Sequence, residues 1–83
     1  MKEKLMSLLE ETIGKQLYKR LSDLDPMANL FDYGLDSIGF INIIVALERE
    51  FNIFIDEDDL DLDRFNNISY IENYVLQKLS KDM

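Results

Sequence analysis

The chain predicts an all-α fold: a small four-helix bundle of three main helices and one short acidic helix, with a long loop after the first helix. Three observations carry that prediction. Apolar residues recur every three or four positions in three separate stretches, which is helical spacing. The short run that could pass for a strand, Ile53-Phe54-Ile55, has no second apolar run to pair with. Finally, 47% of the 83 residues are apolar, enough for one compact core in a single domain over 1–83.

The elements follow in order. Leu5, Leu9, Ile13 and Leu17 repeat every four residues, with Met6 and Leu8 widening the stripe, so a first helix is expected over about 3–18. Asp25-Pro26 and Asp32-Tyr33-Gly34 then mark a loop: Pro26 lacks an N–H and biases Asp25 away from helix, and Gly34 permits a tight turn. Leu24, Met27, Leu30, Phe31 and Leu35 recur through this loop, so it is expected to pack across the bundle. A second helix is expected over about 37–51, with Phe40, Ile43, Ile44, Leu47 and Phe51 as its core stripe. Asn52 is its natural stop, because asparagine tolerates the left-handed conformation. The acidic run at about 56–62 suits a short helix whose carboxylates favour the helix start. The last helix is expected over about 67–80, with Ile68, Ile71, Val75 and Leu79 on one side. Asn66 or Asn67 would cap it, and Ser69 with Glu72 also fits a capping box; the sequence does not separate these.

Charge is confined. The net charge is −8, yet residues 32–63 alone hold ten acids against Arg49, while the flanking stretches are nearly balanced. A negative field on one stretch disfavours nucleic acid and steers basic partners to that surface. There is no cysteine, so disulfides and thiolate metal sites are excluded. Met1-Lys2-Glu3-Lys4 leads into only a short apolar patch, soon followed by Glu10-Glu11, which is neither a signal peptide nor a membrane span. The expectation is a cytoplasmic monomer that binds neither membrane nor nucleic acid.

Gly34-Leu35-Asp36-Ser37-Ile38 puts a serine at the head of the strongest helix pattern. Ser37 is either a helix cap or a hydroxyl offered to another enzyme. Catalysis by Ser37 itself lacks a base, since the chain has no histidine and no Ser-x-x-Lys spacing at this position. The three glycines (Gly14, Gly34, Gly39) are scattered and form no phosphate-cradling loop. An EF-hand starting at Asp59 fails at Arg64, where glycine is needed, and at Tyr70, where a bidentate glutamate is needed, so no metal site is expected. Ile38, Ile41 and Val45 form a second apolar line on the second helix, with Ser37 at its end. That line is either covered by the long loop or is a docking strip for other proteins.

Leu30-Phe31-Asp32-Tyr33-Gly34-Leu35-Asp36-Ser37-Ile38, followed by Ala46-Leu47-Glu48-Arg49-Glu50-Phe51, resembles the acyl carrier protein family, and the likeness covers nearly the whole chain. The resemblance implies a stand-alone carrier with an acyl-carrier-type bundle. It also implies that Ser37 receives a 4′-phosphopantetheine arm from coenzyme A and that acyl groups ride on the arm as thioesters. Such a protein is not an enzyme; others act on it. Asp36 would be recognised by basic residues of a phosphopantetheinyl transferase. Ile38, Ile41, Val45 and Glu48 would dock acyl- or aminoacyl-loading and condensing enzymes with basic or mixed basic and apolar surfaces. Family members in fatty acid synthesis often carry acids where this chain has Gly39, Asn42 and Arg49. Those departures favour a specialised polyketide, nonribosomal peptide or fatty-acid-like pathway. The alternatives are an aminoacyl or D-alanyl carrier, or an acidic interaction module that is never modified. Gly39 should cost about 1 kcal/mol inside a helix, less in its first turn, and either permits a close approach beside Ser37 or is merely tolerated.

Overall fold

A computed structural model describes residues 1–81. Three α-helices form the frame: α1 (Lys2–Ile13), α2 (Ser37–Phe51) and α3 (Ile68–Lys81). Single 3₁₀ turns at Leu21–Asp23, Leu30–Tyr33 and Glu57–Asp59 punctuate the connections, and the described residues contain no strand. Leu5, Leu9 and Ile13 of α1, Phe40, Ile43, Ile44 and Leu47 of α2, and Ile68, Ile71 and Val75 of α3 meet in one core. Burying these side chains, each worth about 1.5–3 kcal/mol for the large aliphatic and aromatic ones, is what sets three amphipathic helices against one another.

The first helix is shorter than the spacing predicts. The Gly14 N–H still donates to the Glu10 carbonyl at 2.9 Å, but the Gln16 N–H turns back to the Ile13 carbonyl and the Tyr18 N–H leaves for the Tyr33 carbonyl at 2.8 Å. Hydrogen bonds to the loop therefore replace the last turn of the expected 3–18 helix. Leu17 remains buried, reached from a turn instead of a helix. Periodicity locates the core residue and misjudges the backbone that delivers it.

The loop packs across the bundle through Leu21, Leu24, Leu30 and Leu35, with Phe31 half-buried; Met27 corrects the expectation and points to solvent. Two hydrogen bonds tie this loop to the start of α3: the Leu30 N–H donates to the Asn66 carbonyl at 2.8 Å, and the Ser69 N–H donates to the Pro26 carbonyl at 3.0 Å. The short acidic helix expected over 56–62 is only the 3₁₀ turn Glu57–Asp59. Asp61 Oδ1 accepts the Asp63 N–H at 2.9 Å, a local aspartate turn that competes with helix, and like charges one turn apart oppose its extension.

Between α2 and α3 runs a ladder of rings. Phe65, wholly buried, lies 6.1 Å from Phe40, 5.4 Å from Tyr70 and 5.0 Å from Tyr74 between centroids, each pair edge to face, and Phe31 continues the ladder 6.3 Å beyond Phe40. Edge-to-face contacts of this kind add to plain burial. The Tyr74 hydroxyl donates to Asp59 Oδ2 at 2.7 Å. Burial, then the hydrogen bond and charge of Asp59, push the Tyr74 hydroxyl pKa well above the usual tyrosine range.

Helix ends show their causes. Asn52 adopts the left-handed conformation (φ 53°, ψ 50°) and closes α2. At the start of α3, Asn67 Oδ1 accepts the Tyr70 N–H at 2.8 Å, which selects Asn67 as the cap. Asn67→Ala is expected to cost about 1 kcal/mol in urea unfolding. Asn66→Ala, whose side chain caps nothing, should cost distinctly less, and the reverse order would contradict this assignment.

Candidate functional site

The start of α2 is assembled by two special residues and one capping carboxylate. Gly34 takes the left-handed conformation (φ 113°) that L side chains rarely adopt, and its N–H returns to the Leu30 carbonyl, closing the preceding 3₁₀ turn. Leu35 is then buried as an anchor, and Asp36 leaves it in an extended conformation (φ −119°, ψ 179°). Asp36 is held three ways: Oδ1 accepts the Gly39 N–H at 2.8 Å, the carbonyl accepts the Phe40 N–H at 2.9 Å, and the N–H donates to Gln16 Oε1 at 3.0 Å.

Asp36 is therefore the cap, and Ser37 is the first residue inside the helix, exposed. Among the described residues no hydrogen bond engages the Ser37 hydroxyl, and none takes the Ser37 or Ile38 N–H. The oxygen is free for chemistry, while two unspent N–H groups and the helix dipole favour an anion beside it. These features fit a phosphodiester on Ser37 without displacing any existing bond.

Gly39 has a reason to be glycine. It is buried, and a Cβ there would overlap Gln16 Oε1 and stand 2.8 Å from Leu35 Cδ1. The Gln16 side chain occupies that space while it holds the Asp36 N–H. A close approach beside Ser37, one of the two readings of this glycine, is what the packing contains.

Ile38 (70% exposed), Ile41 (59%) and Val45 (46%) remain on the surface, while Phe40, Ile43, Ile44 and Leu47 face the core. The loop does not cover the second apolar line. Glu48, at the far end of that line, is half-buried: Oε2 accepts the Ile55 N–H at 2.9 Å and its carbonyl accepts the Ile53 N–H. One of its oxygens thus braces the chain after α2. Between buried Ile53 and Ile55 stands Phe54, 70% exposed, which sequence reasoning passed over. The signal was present in the alternation of that run, in–out–in. Asp56, Glu57 and Asp58 follow, all exposed, but the described residues hold no group of three potential metal-ligating side chains. Nor is any helix among them long and apolar enough to cross a membrane.

The bundle thus presents one exposed serine hydroxyl at the start of α2. Residues 7–75 match the phosphopantetheine attachment site family, and the chain belongs to it. Carrier proteins of this family are not catalytic themselves and bear covalently attached 4′-phosphopantetheine. The acyl carrier protein of Thermotoga maritima is 28% identical over 79 residues, covering 94% of this chain and 95% of that one. Aminoacyl carrier protein 1 of Bradyrhizobium diazoefficiens is 29% identical over 58 residues, 70% of this chain. The chain spans 64% of the length of that protein and 65% of aminoacyl carrier protein 2 from the same organism. The fold matches a chain in the crystal structure of an engineered Bradyrhizobium japonicum glycine:[carrier protein] ligase complexed with a carrier protein from Agrobacterium tumefaciens and ATP. That match has a TM-score of 0.72 at 24% identity and covers 88% of this chain and 97% of that one.

The packing of Gln16 against Gly39 yields a test. In the native background Gly39→Ala gains helix propensity of less than about 1 kcal/mol in this first turn but evicts Gln16 from Asp36, losing a hydrogen bond worth about 0.5–1.5 kcal/mol. In a Gln16→Ala background that loss is absent, and only the Leu35 side chain has to shift against the gain. A double-mutant cycle by chemical denaturation should therefore show Gly39→Ala more favourable beside Gln16→Ala than alone, by about 1 kcal/mol. Strict additivity would refute the close approach.

Proposed function

We propose that Ser37 is the attachment point of 4′-phosphopantetheine and that the chain carries acyl or aminoacyl groups as thioesters on that arm. The observation that carries this reading is the division of labour at the start of α2. Asp36 spends its carboxylate on the cap, and the Ser37 hydroxyl is exposed and unbonded. In the modification the Ser37 oxygen gains a bond to the pantetheine-side phosphorus of coenzyme A, the diphosphate P–O bond breaks so that adenosine 3′,5′-bisphosphate leaves, and the serine proton passes to a base on the transferase. The arm supplies the thiol that this cysteine-free chain lacks. This chain's part is to hold the oxygen outward, favour the phosphodiester through the free N–H groups, and present Asp36 to cations of the transferase.

The exposed line Ile38–Ile41–Val45, with Asp36 before it and Glu48 beyond it, suits partner enzymes with an apolar surface bordered by lysines and arginines. The cargo belongs to a specialised pathway. Gly39, Asn42 and Arg49 make the outer side of α2 less acidic than a fatty acid synthesis carrier would have it. Similarity to aminoacyl carrier proteins supports the alternative reading, an aminoacyl carrier.

Intact mass after incubation with coenzyme A, magnesium and a broad-specificity phosphopantetheinyl transferase tests the proposal. The native chain should gain one phosphopantetheine and Ser37→Ala none. Because Ser37 caps nothing, Ser37→Ala should also unfold at nearly the native urea concentration. Asp36→Asn keeps a capping side chain and removes the charge, and is expected to slow modification about tenfold with stability nearly unchanged. No mass gain under conditions that modify a control carrier would leave only an acidic interaction module.

A further inference from the structure

We infer that the bundle keeps its cargo outside. The space between α2 and α3 is filled by Phe40, Phe65, Tyr70 and Tyr74, which makes this a carrier of short polar groups and not of long aliphatic chains. The inference rests on the assignment of Ser37 and deepens it by naming the class of cargo.

Three features support it. The first is occupancy. Phe65 is wholly buried and meets Phe40, Tyr70 and Tyr74 edge to face, at 6.1, 5.4 and 5.0 Å between centroids. An alkyl chain entering there would have to part Phe65 from rings on both helices at once, and a core packed to native density forfeits those contacts without an equal return. The second is the lock. The Tyr74 hydroxyl donates to Asp59 Oδ2 at 2.7 Å, which ties α3 to the turn that borders the ladder. Swinging the ring aside leaves a half-buried hydroxyl and a carboxylate without each other. The third is the character of the surface beside it. The depression at this edge is lined by Asp56, Asp59, Tyr70, Tyr74, Gln77 and Lys78. Its walls are charged and hydroxylated, so an aliphatic chain gains nothing by lying there, whereas an amino or hydroxyl group does.

A cargo excluded from the interior remains in water at the end of the arm. Long alkyl chains are penalised in that position and small polar acyl groups, aminoacyl groups among them, are not. The ring ladder is thus a filter on what the chain can carry without exposing a sticky surface.

The experiment loads Ser37 with acetyl- or octanoyl-phosphopantetheine, transferred from the corresponding coenzyme A thioester by a broad-specificity transferase and verified by intact mass. Melting temperature and methyl NMR of the loaded proteins are then compared. The two forms should melt within about 1 °C of each other, since a buried eight-carbon chain would raise the octanoyl form by several degrees. The methyl signals of Ile43, Ile71 and Val75 should be unchanged. Tyr70→Ala, which removes a half-buried ring at the edge of the ladder, should let the octanoyl form alone gain stability and shift those methyls. If native octanoyl protein already shows that gain and those shifts, the inference falls and the Ser37 assignment stands. If neither thioester adds mass to the chain, both fall together.

Discussion

One hydrogen bond sets the site: Asp36 Oδ1 accepting the Gly39 N–H. It fixes where α2 begins, and one residue's difference there changes the chemistry. Were Ser37 the cap, its oxygen would be turned inward to a backbone N–H and unavailable. With Asp36 in that place, Ser37 sits inside the first turn with its hydroxyl in solvent. The rest of the neighbourhood serves this arrangement. Gly34 makes the turn that brings Asp36 around, Leu35 anchors it, and Gln16 reaches from the end of α1 to take the remaining Asp36 N–H.

The same helix has to satisfy two opposite demands. Its inner stripe is packed by Phe40, Ile43, Ile44 and Leu47, as a small bundle requires. Its outer line of Ile38, Ile41 and Val45 gains nothing from folding and stays wet. Such a line is retained at a cost in solubility, which the chain's net charge of −8 offsets. Glu48 marks where the two demands meet, because one carboxylate oxygen supports the backbone at Ile55 while its outer-line position belongs to the surface.

Sequence periodicity rendered α2 and α3 well, because their spacing is regular and their ends carry chemical marks such as Asn52 and Asn67. It failed where distant residues decide. The end of α1 depends on the Tyr33 carbonyl and the Asp36 N–H, partners that no local window contains. The choice between Asn66 and Asn67 depends on which side chain points along the helix axis, and that is geometry alone. Met27 was drawn into the core by its apolarity, and Phe54 was passed over because three residues are too few to carry a period. At the site, the sequence places Asp36 and Ser37 side by side at the start of α2. Only the coordinates separate the cap from the free hydroxyl within them, since serine and aspartate are both good caps.

The contacts between the loop and α3 have a bearing on how the chain is made. The carbonyl of Pro26 takes the Ser69 N–H, one of the donors that a helix start cannot satisfy within itself, and the Leu30 N–H donates to the Asn66 carbonyl just before the helix. The first turn of α3 therefore finds all its partners only where the earlier loop is already in place. Synthesised after that loop, α3 meets an acceptor at Pro26 already in the chain. Order of synthesis and order of need coincide.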